Sequence, residues 1–153
     1  MTEPTRTVSA LVVVDHGSRS AASNATLEVA VGEIAALAGD RYAVVLAAHM
    51  EIAPPSVAEA IDAAVAAGAH EVTVALYFLA PGRHSEIDVP RLVAESASRH
   101  PGIRFAVTAS LGPHASLAAL ILERAEQAHS GQVDGGQSAT QAEGRRSGPR
   151  SRP

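Results

Sequence analysis

The sequence predicts an α/β fold in which four βα units form a small open parallel sheet flanked by helices. Short β-branched runs alternate with longer stretches whose apolar residues recur at helical spacing. The 153-residue chain is 46% hydrophobic but only 3% aromatic, so its core must be aliphatic, as where helices pack closely on a sheet. The β-branched runs are almost continuously apolar, which is typical of parallel strands covered on both faces.

Four apolar runs predict the strands, and a helical stretch follows each of them. The runs cover residues 9–14, 42–47, 71–78 and 103–108. Parallel strands need crossover connections, which are almost always right-handed. Because four strands make a minimal sheet, the domain could be half of a larger assembly.

Apolar stripes and end signals locate the four helices. The first two stripes are Leu27, Val31, Ile34 and Ala38, and then Val57, Ile61, Ala64 and Val65. Ser56 and Glu59 have the spacing of a capping box, which begins the second helix. Asp88, two residues before Pro90, suits the start of the third helix, and the fourth is expected after His114.

Composition bounds the domain organisation and the chemistry. Residues 1–129 are expected to form one α/β domain, and residues 130–153 a disordered Gly/Ser/Arg-rich tail with almost no large apolar residue. Without cysteine or lysine, the chain has no disulfide, thiolate metal site or Schiff-base lysine. A net charge of −4 argues against a general nucleic-acid binder. No apolar run is long enough to span a membrane and no signal-peptide pattern is recognisable, so a cytoplasmic location is expected.

Histidines follow the predicted strands at the edge where parallel sheets form their sites. His16 follows the first strand, His49 and Glu51 the second, His84 the third and His114 the fourth. The loops after the strands, here called the rim, bring these distant positions together. Neutral imidazoles with a carboxylate suit divalent metals such as iron, cobalt, nickel and zinc. A transient metal site at the rim is therefore predicted, although any single histidine is more often structural.

Small and basic residues complete the predicted rim loops. Gly17 allows a tight turn after His16, and Ser18 could cap the first helix. Arg19 and Arg83 flank the two best-placed histidines, where guanidinium groups would attract carboxylates of a ligand. The alternative, that both arginines are ordinary solvated side chains, is about equally favoured.

Five segments, in order, resemble the small sirohydrochlorin chelatases of the CbiX/SirB type. They read LVVVDHGSR, MEIAPPSVAEAID, LYFLAPGRHSEIDVPRLV, RHPGI and SLGPHASLAALILER. The resemblance spans residues 11–124, and the stretch around GRHSEIDVP is its most specific part. It implies a chelatase-like fold and a lyase that inserts a divalent metal into sirohydrochlorin. Iron insertion completes sirohaem, whereas cobalt insertion leads towards cobalamin.

The resemblance also implies roles for individual residues. His16 and His84 would hold the metal, and Glu51 would join them as a catalytic residue that accepts a proton. Apart from the resemblance, the charge of Arg19 and Arg83 suits the carboxylate-rich tetrapyrrole. His114 is a further candidate for this contact, and the alternative is that it only caps its helix. The sequence departs from the family pattern at Asp15, where Gly or Ala is commoner, and at Pro54-Pro55, where Glu-Pro is more usual.

The substrate's size and chemistry suggest further expectations. An open cleft lined by Met50, Leu79 and Leu111 could receive the apolar macrocycle. The substrate is broad and one sheet offers a shallow rim, so a homodimer is expected. No tightly bound cofactor is expected, because the metal (Fe2+ or Co2+, with Ni2+ also conceivable) is a substrate.

Three alternatives remain open from the sequence. A histidine phosphatase would need an arginine where Asp15 stands, since a carboxylate repels phosphate. A non-catalytic metal or tetrapyrrole carrier would use the same ligands as an enzyme. A plain α/β scaffold with incidental histidines would bind no metal. Fe2+ is favoured over Co2+ because sirohaem is needed more widely, and the residues themselves accept either metal.

Overall fold

The computed structural model describes residues 7–130, which contain a four-stranded parallel sheet. Its strands are β1 (Ser9–Asp15), β2 (Val44–His49), β3 (Glu71–Leu76) and β4 (Arg104–Val107). They are arranged in the order β2-β1-β3-β4, and every neighbouring pair is parallel. The predicted α/β class and its four βα units are confirmed.

Four α-helices follow the four strands. They are α1 (Ala21–Ala38), α2 (Val57–Ala66), α3 (Val89–Arg99) and α4 (Ala115–Ser130). A 3-10 turn, Gly39–Arg41, follows α1, and a π-helical turn, His84–Asp88, precedes α3. In the described range, no helix is both long and apolar enough to cross a bilayer.

The chain divides into two compact units after Leu117. The first unit contains the sheet and α1 to α3. The described part of the second unit is residues 118–130 of α4. Nearly all of the predicted tail, from residue 131 onwards, lies outside the described residues.

The core forms two apolar layers, one against each face of β1. Ala10, Val12 and Val14 belong to the larger layer, which includes the buried residues of α2 and α3. Leu11 and Val13 face the smaller layer, which is completed mainly by α1. All five of these β1 side chains are buried, as expected for a central parallel strand.

The inner strand β3 differs from the prediction that both faces are covered. β3 buries Val72, Val74 and Leu76, whereas the alternate residues Thr73 and Ala75 are half-buried. The period of two shows that one face of β3 carries most of its packing. The prediction of two covered faces therefore holds for β1 and is wrong for β3.

The second strand is shifted by two residues from its predicted bounds. β2 begins at Val44 rather than at residue 42, and it ends at His49. The register explains the extension, because Asp15, the last residue of β1, is paired with His49. His49 is thus part of the sheet and not of the loop that follows it.

Two helix starts test the predicted capping signals. At α2, the capping box is confirmed: Glu59 N–H donates to Ser56 Oγ (3.3 Å) and Ser56 N–H donates to Glu59 Oε2 (2.7 Å). The bonds from the Ser56 backbone and side chain lower the pKa of Glu59. At α1, the N-cap is Ser20, so the predicted cap at Ser18 is wrong. Ser18 Oγ instead accepts a hydrogen bond from Ser20 N–H at 3.0 Å, just before the helix.

Candidate metal centre at the rim

His16 and His84 lie side by side at the carboxyl edge of the sheet. Their ring centroids are 4.7 Å apart and their planes are nearly perpendicular, at 86°. His16 also packs edge-on against Phe78, with the ring centroids 4.6 Å apart. Phe78 is buried and anchors the His16 ring, whereas His16 itself is exposed. Two residues separated by 68 positions in the sequence thus meet at a solvent-accessible edge.

A turn of π-helix presents His84. The N–H of Val89 donates to the carbonyl of His84, five residues earlier, which widens the helix at this point. Buried Ser85 closes the turn, since its Oγ donates to the carbonyl of Gly82 (3.0 Å) and accepts from the N–H of Gly82 (2.9 Å). The histidine therefore projects from a rigid backbone rather than from a loose loop.

Asp88 orients the His84 ring. It occupies the N-cap position of α3, as expected, but its carboxylate makes no capping bond. Asp88 Oδ2 lies 3.0 Å from His84 Nδ1 and accepts a hydrogen bond from it. Arg83 Nε lies 3.8 Å from the same oxygen. With Nδ1 engaged in this way, Nε2 is the nitrogen left to bind a ligand. Sequence reasoning missed this role, although a spacing of four residues was a usable signal.

Glu51 reaches the His16 segment through its backbone. Its N–H donates to the carbonyl of His16 at 3.1 Å, and Glu51 itself is exposed. No group of three or more potential metal ligands is assembled among residues 7–130. The described geometry is thus a pair of histidines with a carboxylate residue beside it, not a closed metal cage.

His49 and His114 do not join the histidine pair. His49 is only 2% exposed, and its Nδ1 donates to Asp15 Oδ1 at 2.6 Å. His114 caps α4, because its Nδ1 accepts a hydrogen bond from Ser116 N–H at 3.1 Å. The convergence of four histidines predicted from the sequence therefore reduces to one adjacent pair, with the other two in structural hydrogen bonds.

The predicted substrate-facing residues are largely open to solvent. Arg19 is exposed, and Arg83 exposes 80% of its side chain. Leu79 and Leu111 are 72% and 39% exposed, whereas Met50 is half-buried against the larger core layer. The rim thus presents both apolar and cationic side chains outside the core.

Comparison with known proteins shows the family of this chain. The CbiX family model matches residues 10–128. The chain belongs to the CbiX family. Among curated relatives of this CbiX chain, the chloroplastic sirohydrochlorin ferrochelatase of Arabidopsis thaliana is 42% identical over 114 residues, covering 74% of this chain and 50% of that protein. The sirohydrochlorin cobaltochelatase of Methanococcus maripaludis is 40% identical over 85 residues, covering 55% and 57%.

A solved structure agrees on the fold. The sirohydrochlorin chelatase SirB of Bacillus subtilis subspecies spizizenii, in complex with cobalt, has a TM-score of 0.70 at 24% identity. The match covers 78% of this CbiX chain and 50% of the Bacillus chain. The chain spans about half the length of the two curated relatives that it matches.

Proposed function

We propose that this CbiX-family chain is a sirohydrochlorin chelatase that inserts a divalent metal into the tetrapyrrole. The observation that carries the proposal is the exposed His16–His84 pair, with rings 4.7 Å apart, in a chain of this family. Fe2+ is the favoured metal because the Arabidopsis relative, whose match covers 74% of this chain, is a ferrochelatase. Co2+ is the alternative, supported by the Methanococcus relative.

In this proposal, His16 and His84 hold the incoming metal. A tetrahedral ion bound at about 2.0–2.1 Å needs its ligand nitrogens within a few ångströms of each other. Rings at the observed separation can meet that need by side-chain rotation. Two imidazoles leave the other coordination positions to water, so the ion is held loosely enough to be transferred.

Metal insertion also requires a base. The metal's bonds to the two histidines break as it binds the four ring nitrogens, and the protons of the two pyrrole N–H groups must leave the macrocycle. Glu51 is suited to accept a proton because it is exposed and its backbone is bonded to that of His16. The carboxylate then releases that proton to solvent, so it can accept the second proton in the same way.

The substrate would lie on the rim beside the histidine pair. Exposed Leu79 and Leu111 offer apolar contact to the macrocycle face, and Arg19 and Arg83 offer positive charge to its carboxylates. His114 has Nε2 left for such a contact, because Nδ1 serves the helix cap.

The decisive experiment compares metal insertion by the wild type, His16→Ala, His84→Ala and the double variant. We expect each single substitution to lower the initial rate by about 100-fold or more, and the double variant to be scarcely worse, because the two ligands act as a unit. His70→Ala is the matched control, since His70 is exposed and precedes β3 at the opposite edge of the sheet. All variants should keep the wild-type circular dichroism.

Three results would contradict this function. A near-normal rate in His84→Ala would remove the histidine pair from the reaction. Stoichiometric binding of metal or tetrapyrrole without turnover, with metal and sirohydrochlorin in excess, would indicate a carrier. Phosphatase activity without metal insertion would indicate a histidine phosphatase. Parallel assays with Fe2+ and Co2+ decide the preferred metal.

A homodimer and a cytoplasmic location are also part of the proposal. Exposed Leu120, Ile121 and Leu122 on α4 give the chain an apolar surface suited to a second copy. We expect light scattering to give twice the mass of the 15.6 kDa chain at micromolar concentration. A fully active 15.6 kDa species would contradict the dimer. Fractionation of cells checks the location.

A further inference from the structure

Asp15 and His49 form a hydrogen-bonded pair directly beneath the rim, in which His49 is buried and Asp15 is partly exposed. They are the last residues of β1 and β2 and are partners in the sheet register. Because a carboxylate only accepts, His49 Nδ1 carries the proton and donates to Asp15 Oδ1 at 2.6 Å. His49 is almost completely buried, so this bond is well shielded from water.

The same carboxylate also holds the turn that follows His16. Asp15 Oδ1 accepts a second hydrogen bond, from Gly17 N–H at 2.9 Å. One oxygen atom therefore connects the end of β2, through His49, with the residue after His16. Neither bond is part of the sheet ladder, so both depend on the side chain of Asp15.

The two rim segments are in close contact above this pair. Met50 N–H donates to the carbonyl of Asp15 at 2.9 Å, and Glu51 N–H donates to that of His16 at 3.1 Å. Gly17 has a φ of +82°, and a Cβ atom there would lie 2.0 Å from the carbonyl oxygen of Glu51. The segments approach so closely that a small displacement of either one changes the separation of His16 and Glu51.

We propose that Asp15 and His49 are positioning residues that fix the distance between the His16 imidazole and the Glu51 carboxylate. This inference rests on the proposed function, in which His16 holds the metal and Glu51 accepts a proton. A misplacement of about 1 Å can lower a rate by about 100-fold, so a hydrogen-bonded pair with a buried histidine is a suitable way to hold the two groups. The pair touches neither metal nor substrate, and it acts only through its neighbours.

The test uses substitutions that remove or retain the hydrogen bonds. Asp15→Ala removes both bonds and His49→Phe removes the bond between His49 and Asp15, and each should lower kcat for metal insertion by about 10- to 100-fold. The KM for Co2+ should change less than about threefold, because His16 and His84 both remain. Asp15→Asn keeps an acceptor and His49→Asn keeps a donor, so both should stay within about threefold of the wild-type rate.

A double-mutant cycle separates positioning from general damage. In a Glu51→Gln background, Asp15→Ala should lower kcat less than about twofold further, because the group that it positions is already lost. The proposal would be overturned if the losses of kcat from Asp15→Ala and Glu51→Gln multiplied in the double variant. A wild-type kcat in Asp15→Ala, or a loss of kcat in Asp15→Asn equal to that in Asp15→Ala, would also overturn it.

Amide hydrogen exchange keeps the two proposals distinguishable. Exchange at Gly17 and Glu51 should be about tenfold faster or more in Asp15→Ala and His49→Phe, and unchanged in Asp15→Asn. If the wild type inserts no metal but this exchange pattern is found, the chelatase function fails, while the role of Asp15 and His49 in positioning the two rim segments stands. Unchanged exchange in Asp15→Ala would refute this positioning role, whatever the rate of metal insertion.

Discussion

At the scale of single residues, two aspartate–histidine pairs have similar bonds but different surroundings. Asp88 orients His84, which faces His16 at the rim. Asp62 accepts from His100 Nε2 at 2.7 Å, where helix α2 meets the end of α3. The bond alone therefore does not mark a functional histidine; what distinguishes His84 is the second imidazole beside it.

These two pairs supply a prediction with an internal control. Asp88→Ala should weaken Co2+ binding by about 10- to 100-fold, because His84 loses the partner that fixes its ring and tautomer. Asp62→Ala removes the same kind of bond from His100 and should leave Co2+ binding unchanged. Titration with Co2+ followed by visible absorption measures both. Equal affinities in the two variants would contradict the assigned role of Asp88.

Gly17 provides the second prediction at this scale. Gly17→Ala should lower the free energy of unfolding by about 1–3 kcal/mol, because φ is +82° and the new Cβ would meet the Glu51 carbonyl. Gly32→Ala, in α1 with open space around it, should instead raise that free energy by about 0.5–1 kcal/mol. Urea unfolding of both variants checks the contrast. Equal stability would contradict it.

At the scale of elements, an exposed ion-pair cluster links α2 to the end of α3. Asp62 on α2 accepts from His100 and also lies 3.3 Å from Arg99. The His100 hydrogen bond is the largest cause that lowers the pKa of Asp62, with Arg99 adding to it. Because the side chains of Asp62 and Arg99 are about half exposed, the cluster should contribute less than about 1 kcal/mol.

The lowered pKa of Asp62 predicts the direction of a pH dependence. A carboxyl group with a lower pKa in the folded state stabilises the fold above its unfolded pKa, and that contribution is lost as the pH falls through the folded value. The wild type should therefore exceed Asp62→Asn in stability at pH 7, and the difference should shrink below about pH 4. Urea unfolding from pH 7 to pH 3 measures it. A constant difference across that range would refute the assignment.

At the scale of the whole molecule, metal binding and folding stability are linked. His16 and His84 come from opposite parts of the sequence and adjoin only in the folded chain. Co2+ that binds the native state alone should raise the free energy of unfolding by about 2.7 kcal/mol at 100 times Kd. The melting temperature should rise with Co2+ and return on addition of a chelator. His84→Ala should lose this rise, and a rise of wild-type size in that variant would contradict the site.

The sequence by itself determined the fold class and the two residues at the centre of the rim. Hydrophobic period and capping signals are local, so four strands, four helices and the Ser56–Glu59 cap could be predicted from short segments. Parallel strands all end at the same edge of the sheet, and this topology placed His16 and His84 at that edge.

Only the tertiary structure decided which rim histidines lie side by side. The pairing of Asp15 with His49 depends on the register between β1 and β2, and that register was not predicted from the sequence. The role of Asp88 depends on a π-helical turn that carries its carboxylate to His84. Side-chain partners across such distances are set by packing and by the need to satisfy polar groups where burial removes water, and these act only once the chain has folded.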